Sequence, residues 1–349
     1  MTTSPVTTAS AAASVGAASI DVLPDGAWPV MLTPFLAGSG AELVVDDAAL
    51  DAYTDWLIEH GSAGLFPVAL SGEMFELTEE VRLSIARRVV ARSAGRVPVI
   101  ASVAEAGTAE SIAAEVAKVA ETGVDAVVLI AALLMEESED ESGLQAKLRV
   151  ILDLNPGVTF GIYECPLPYH RILSTEAVAW IAQTGRFTFF KETSHSVELM
   201  ADRVAVSAGT PMKVYNAGIE SLVESLAVGV SGLSGWVVNV YPEYVAWIVA
   251  NATGADDAEA LAVQAALDAV ERGMGPTYPN SAKHLLAQRS ALTFPAISRW
   301  RSLPINEAEL DALTGGVAAL ELLTPLPGTA GIAGAASAAS AASAAGAKA

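Results

Sequence analysis

Cysteine is nearly absent from this chain: Cys165 stands alone, so no intrachain disulfide can form, which fits a reducing compartment and leads us to expect a cytoplasmic protein. Its thiol lies beside Tyr163 and could be reactive, but a small buried packing residue is the reading adopted. Cations are scarce as well, 19 Lys and Arg against 40 Asp and Glu, for a net charge of −21. A phosphate backbone would be repelled and no basic cluster offers a compensating patch, so nucleic acid is excluded as a partner. The acidity is read as a solvated anionic surface. No stretch reaches the roughly 18 to 20 consecutive apolar residues a membrane span needs, even though mean hydropathy is +0.43, because alanine rather than long apolar runs raises it. A soluble chain is expected, with no membrane partner. His60, His170, His195 and His284 are scattered without metal-ligand spacing, which implies no metal. No G-x-G-x-x-G follows the first apolar run, and no G-x-x-x-x-G-K-[ST] occurs anywhere, which removes the usual nucleotide-binding turns.

Large side chains are also missing from both ends. Residues 1–21 are Ala, Ser and Thr with neither a cationic nor a sustained apolar segment, so they read as a disordered extension rather than a secretory signal. Residues 323–349 run into Ala/Ser repeats, a low-complexity tail with nothing to pack a core. The folded part is therefore placed at 22–322. Within it, eight short apolar runs alternate with helix-period segments: Trp28–Leu32, Gly64–Ala69, Val97–Val103, Ala126–Ala131, Val158–Tyr163, Phe187–Lys191, Met212–Tyr215 and Gly232–Val237. Seven intervening helical segments, with starts such as Asp46, Thr78 and Ser174 suited to capping, close arithmetically as an α/β fold of the TIM (β/α)8 type. After the eighth run the sequence is helix-like throughout, a C-terminal helical appendage with candidates at Pro242–Ala252, Asp256–Arg272, Ala282–Gln288 and Ile305–Leu313. A doubly wound open sheet is the alternative.

The chemistry centres on Phe187-Thr188-Phe189-Phe190-Lys191, an apolar run that delivers one lysine at its end. A lysine at the mouth of an apolar site loses hydration of its charged form, so its pKa falls and the neutral amine can attack a carbonyl. The fifth run ends on Tyr163, so an amine and a phenol stand at matching strand ends, an imine former with its proton shuttle. The second run ends Leu70-Ser71-Gly72-Glu73, a tight turn whose N–H groups and Ser71 hydroxyl could hold a carboxylate. In a barrel, all of these fall at the rim where reacting groups gather. Arg171 offers a bidentate grip on a distal carboxylate or hydroxyl, with a surface ion pair as the other reading. Leu233 and Ser234, within the eighth run, close the set. Glu73 is read as a brace for its loop.

Ser-Gly-Glu after the second strand, Tyr-x-x-Pro at Tyr163–Pro166 and Lys-Glu-Thr at Lys191–Thr193, in this order on an eightfold pattern, resemble the dihydrodipicolinate synthase / N-acetylneuraminate lyase family over about residues 26 to 320. The resemblance implies class I chemistry: Lys191 forms an imine with a 2-oxo acid such as pyruvate, Tyr163 shuttles protons, and Ser71 with the Gly72 amide holds the carboxylate. It implies no cofactor, and a homo-oligomer, tetramer or dimer. The family's usual turn is Gly-Thr-Thr-Gly-Glu, whereas Leu70 here replaces the first threonine, which in the synthase relays protons between the catalytic tyrosine and a tyrosine lent by a neighbouring subunit after the fourth strand. Here Ala131–Met135 offers no such phenol, and Pro168 stands where the synthase has an arginine. The expectation is thus a class I lyase (aldolase, hydratase-aldolase or dehydratase) other than the synthase, with a less polar pocket. A sugar-acid dehydratase or sialic-acid-type aldolase, meeting substrate hydroxyls through Arg171, Tyr169 or Ser234, is the runner-up. A catalytically inactive barrel that binds a small carboxylate metabolite or a protein partner is the alternative from another class.

Overall fold

The computed structural model describes residues 22–37, 43–301 and 304–323, so the expected extension 1–21 and nearly all of the tail lie outside the described residues. Eight parallel strands form one curled sheet in the order β1-β8-β7-β6-β5-β4-β3-β2. They are β1 (Gly26–Ala27), β2 (Leu65–Val68), β3 (Val99–Ser102), β4 (Ala126–Ile130), β5 (Phe160–Tyr163), β6 (Phe187–Glu192), β7 (Lys213–Asn216) and β8 (Gly232–Leu233). The remaining seam, between the first and second strands, closes through backbone bonds: Ala63 N to Ala27 O at 2.8 Å, Met31 N to Phe66 O at 3.0 Å and Phe66 N to Pro29 O at 3.1 Å. The fold is a TIM barrel.

Helices α1 (Asp47–Glu59), α2 (Glu79–Ser93) and α3 (Ala109–Ala120) cover the first strands, then a one-turn α4 (Ala131–Leu134) precedes α5 (Leu144–Leu154), α6 (Thr175–Gln183), α7 (Val197–Ser207) and α8 (Leu222–Ala227). The appendage comprises α9 (Pro242–Asn251), α10 (Ala258–Met274), α11 (Asn280–Arg289) and α12 (Glu307–Glu321). The expected caps form: Asp46, Thr78 and Ser174 side chains accept from the N–H groups of Ala49, Val81 and Ala177, satisfying donors that a helix start leaves unpaired. Among the described residues no helix is long and apolar enough to cross a membrane.

Four elements depart from the periodic reading. The first strand is Gly26–Ala27, ahead of the expected Trp28–Leu32, and the eighth stops at Leu233 rather than Val237. Both short strands meet where Gly232, at φ +147°, lies so close to Gly26 that a Cβ would come within 2.0 Å of its carbonyl oxygen. A side-chain-free seam there sets the register, which an apolar run cannot report. The Ala131–Leu134 stretch, read as the tail of a strand and a loop, turns into α4. The last helix runs eight residues past the expected Leu313, through Gly315 and Gly316, because a Cβ on Gly316 would stand 2.9 Å from the backbone N of Val270: the glycine lets α12 approach α10.

Candidate active site

Lys191 and Tyr163 are register partners on β6 and β5. Alternation puts Phe189 and Lys191 on one face of β6, and Phe189 packs there against Trp28 (5.3 Å between ring centroids), Tyr215 (4.6 Å) and Phe66 (6.0 Å). This aromatic floor fills the barrel below the lysine. Gly161 makes it possible, since a Cβ there would press on Phe189 Cβ at 3.1 Å. Lys191 is 4% exposed, with Nζ 4.5 Å from the centroid of the Tyr163 ring. Burial pushes its amine down to about 8, opposed in part by Cys165 and Glu271. Burial drives the Tyr163 phenol the other way, well above its ordinary value, aided by the neighbouring Cys165 thiol. The site therefore pairs an amine that loses its proton easily with a phenol that keeps its own.

The opposite face of the same strand ends explains how the pair is held. Glu164 and Glu192, each next in sequence to a site residue, point outward and are both paired with Arg203 on α7. All three side chains are completely buried. Glu164 also accepts from the N–H groups of Leu173 (2.8 Å) and Thr193 (3.1 Å), and the Thr193 hydroxyl returns a bond to the Glu164 carbonyl at 2.7 Å. Burial raises the Glu164 carboxyl to about 7, against the pull of Arg203. Sequence reading missed this cluster, although the two glutamates at the ends of neighbouring strands were a visible signal.

The turn after β2 is a 3-10 helix over Leu70–Gly72, buried throughout. A Cβ on Gly72 would fall 2.6 Å from the Pro67 carbonyl oxygen and 3.0 Å from that of Met31, so glycine is required by close approach. One expectation needs correction here. The Gly72 amide donates to Ala69 O at 3.0 Å and is committed to closing the turn, so it is not free to hold a carboxylate. Glu73 follows in the left-handed region at φ 65° and acts as a brace: its carboxylate takes Lys283 Nζ at 2.7 Å and the N–H groups of Arg299 and Trp300, tying the barrel to the appendage. Lys283 is fully buried, a pairing with no local sequence signature.

Arg171 is not brought to the lysine. Its Nη2 donates to the carbonyls of Glu136 (2.8 Å) and Glu137 (3.1 Å), and its guanidinium lies 5.4 Å over the Tyr169 ring, so it fastens the loop after β4. Tyr169 donates to Met135 O in the same loop. Leu233 and Ser234 are fully buried at the end of β8, and Ser234 Oγ has no partner among the described residues. Leu70 is 6% exposed at the rim. The appendage contributes two groups that sequence reading did not select. Glu271 of α10, whose Oε2 accepts from Val237 N at 2.8 Å, is raised by burial to about 7 and interacts electrostatically with Lys191. Tyr278, between α10 and α11, is fully buried, and its hydroxyl accepts from Asn239 Nδ2 at 2.8 Å. Cys165 is buried, as expected of a packing residue, yet it also touches Tyr163.

The profile of the Dihydrodipicolinate synthetase family matches residues 24–313, nearly all of the described fold. The chain belongs to this family. Among curated relatives, the 4-hydroxy-tetrahydrodipicolinate synthase of Hyphomonas neptunium is 29% identical over 287 residues, covering 81% of this chain and 94% of that protein. Among solved structures, the chloride-inhibited dihydrodipicolinate synthase of Acinetobacter baumannii complexed with pyruvate superposes with a TM-score of 0.74 at 20% identity, covering 84% of this chain and 98% of the other. A prophage protein of the dihydrodipicolinic acid synthase family from E. coli K12, also in complex with pyruvate, gives 0.74 at 20% identity over the same shares. At such identities these likenesses establish the shared barrel with its helical C-terminal part.

Proposed function

We propose that the protein is a class I lyase that acts on a 2-oxo acid such as pyruvate through an imine on Lys191. The observation that carries the reading is one buried amine, its pKa lowered to about 8, set against a buried phenol at the matching end of the next strand. Membership of a family whose solved members include pyruvate complexes supports the substrate class. The neutral amine attacks the C2 carbonyl, giving a carbinolamine. Tyr163 O–H donates its proton to the departing hydroxyl, water leaves, and the nitrogen becomes an iminium. That cation draws the C3–H or C3–C4 bonding electrons toward nitrogen, which is the common step of aldol cleavage, aldol addition and dehydration. Ser71 is the donor we assign to the substrate carboxylate. Leu70 at the rim, with the apolar α4 turn, gives this chain a less polar second-substrate region than the synthase motif would, so we assign it a different acceptor from that enzyme.

The test is trapping. Borohydride added with pyruvate should leave a reduced adduct on the peptide containing Lys191, seen by mass spectrometry. Lys191→Arg should give none, since a guanidinium stays protonated. Tyr163→Phe should form the adduct at least 100-fold more slowly, the usual scale of a lost proton donor. A folded wild-type protein without adduct at Lys191 for any short 2-oxo acid would sink the assignment and leave a barrel that only binds a carboxylate.

A further inference from the structure

One ionisable pair at the rim has no part in the imine chemistry above. His195 follows Lys191 by four residues, so their Cα atoms lie at most about 14 Å apart. Glu220 stands in the loop after the neighbouring strand, β7. His195 Nδ1 meets Glu220 Oε1 at 2.6 Å. A carboxylate can only accept, so Nδ1 carries the proton and, in the neutral ring, Nε2 is the open base. Both loops are shaped for this contact. His195 sits in the left-handed region at φ 58°, between Ser194, whose N–H donates to Glu192 Oε1 at 2.9 Å, and Ser196, whose N–H donates to Ser194 Oγ at 3.1 Å. Gly218 leaves room for the carboxylate, since a Cβ there would fall 2.3 Å from Glu220 Oε1. The Glu220 carbonyl is tied to α10 by Gln264 Nε2 at 3.0 Å.

The other ionisable groups at these strand ends are engaged elsewhere or resist charge. Glu164 and Glu192 are sealed behind the strands with Arg203, Glu73 is paired with Lys283, and Glu271 accepts from Val237 N. His170 donates through Nε2 to Thr193 Oγ1 at 2.8 Å, because the Thr193 proton goes to Glu164 O, and burial lowers the pKa of its ring. His195 differs. The hydrogen bond to Glu220 raises its pKa against partial desolvation, and Glu192 and Glu271 add to the rise. Its side chain is 55% exposed, so a proton it takes up can pass to water.

We propose that His195, held by Glu220, is the catalytic base and acid of the carbon–carbon step, acting on the C4 hydroxyl of a 4-hydroxy-2-oxo acid bound to Lys191. In cleavage, Nε2 takes the hydroxyl proton and C4 departs as an aldehyde. The C3–C4 bonding pair becomes the C2=C3 bond, and the C2=N pair becomes the lone pair of the enamine nitrogen. In addition, the imidazolium returns its proton to the new C4 oxygen. Nothing is oxidised or reduced. Glu220 is a positioning residue that fixes the tautomer and stabilises the imidazolium. The inference rests on the imine reading given above for Lys191 and narrows it to aldol chemistry.

Its test is release of pyruvate from 4-hydroxy-2-oxo acids carrying methyl, propyl, phenyl or hydroxymethyl at C4, measured beside borohydride trapping of pyruvate at Lys191. Asparagine tolerates a positive φ and its Nδ2 can keep the bond to Glu220, so His195→Asn is the main variant. It should lower kcat for cleavage about 100-fold or more, the usual scale of a lost acid–base group, while the pyruvate adduct forms as in wild type. Because the base must be neutral, wild-type kcat should fall as pH drops through the raised imidazole range. Glu220→Gln keeps an acceptor for Nδ1 without the charge and should move that limb to lower pH, which a merely structural pair would not do. His170→Gln should leave the limb in place. Cleavage by His195→Asn within about threefold of wild type, a limb unmoved in Glu220→Gln, or a limb lost in His170→Gln overturns the role of His195 while the Lys191 reading stands. So does a wild type that traps pyruvate but cleaves none of these acids. A wild-type protein with no adduct at Lys191 overturns both.

Discussion

At the scale of the residue, the decisive property is desolvation of a single amine. An ordinary lysine at neutral pH is almost wholly protonated, whereas one held at about 8 is unprotonated in roughly a tenth of molecules at pH 7. Only the neutral form attacks, and its share grows as pH rises, so the rate of imine formation with pyruvate should climb through a midpoint near pH 8. The Tyr163 phenol remains protonated throughout that window, so no fall should follow until well above pH 10. Stopped-flow trapping across pH 6 to 10 on the unmodified protein checks this; a rate flat across that range would mean the amine is not buried as described. Lys191 and Tyr163 were legible as a pair from strand ends alone. Glu271 was not, because it is a lone polar residue in a helical stretch whose neighbour in space, Lys191, is 80 residues away in sequence.

At the scale of the element, β5 and β6 are aimed by what lies behind them. Arg203 is the only cation between Glu164 and Glu192 among the contacts described, with no solvent to share the charge. Replacing it by Met would leave two buried carboxylates facing each other, and the loss of one partner of a buried ionic cluster costs about 3–5 kcal/mol. Denaturant unfolding of Arg203→Met should show a destabilisation of that size with little change in slope, and pyruvate trapping should weaken as the two strand ends relax. A change below 1 kcal/mol would show that the cluster is not what holds them. The same elements mark the limit of pattern reading. The strands with continuous apolar runs, β3 to β7, fell where expected, while β1 and β8 are two residues each and are set by a glycine contact across the closing seam.

At the scale of the whole molecule, barrel and appendage are one structure pinned by a buried ion pair. Lys283 of α11 meets Glu73 at the barrel rim at 2.7 Å, with both side chains fully buried, and its ammonium also donates to Ile297 O at 2.6 Å. Lys283→Met should lower stability by about 3–5 kcal/mol. Lys118→Met, which breaks an exposed pair with Glu79, should leave the thermal midpoint unchanged within error. Equal shifts in the two variants would argue against the pin. By itself the sequence determined the alternating strand and helix elements, and with them the barrel and the rim that gathers Lys191, Tyr163 and Ser71. These follow from local periodicity and from the geometry of parallel strands. Which groups complete the rim was decided only by tertiary structure: the Gly72 amide spent on its own turn, Arg171 drawn to a loop, and Glu73 joined to Lys283. Each of those is a hydrogen bond or charge pair whose partner is chosen by packing, and Lys283 and Glu73, which join appendage to barrel, lie 210 residues apart.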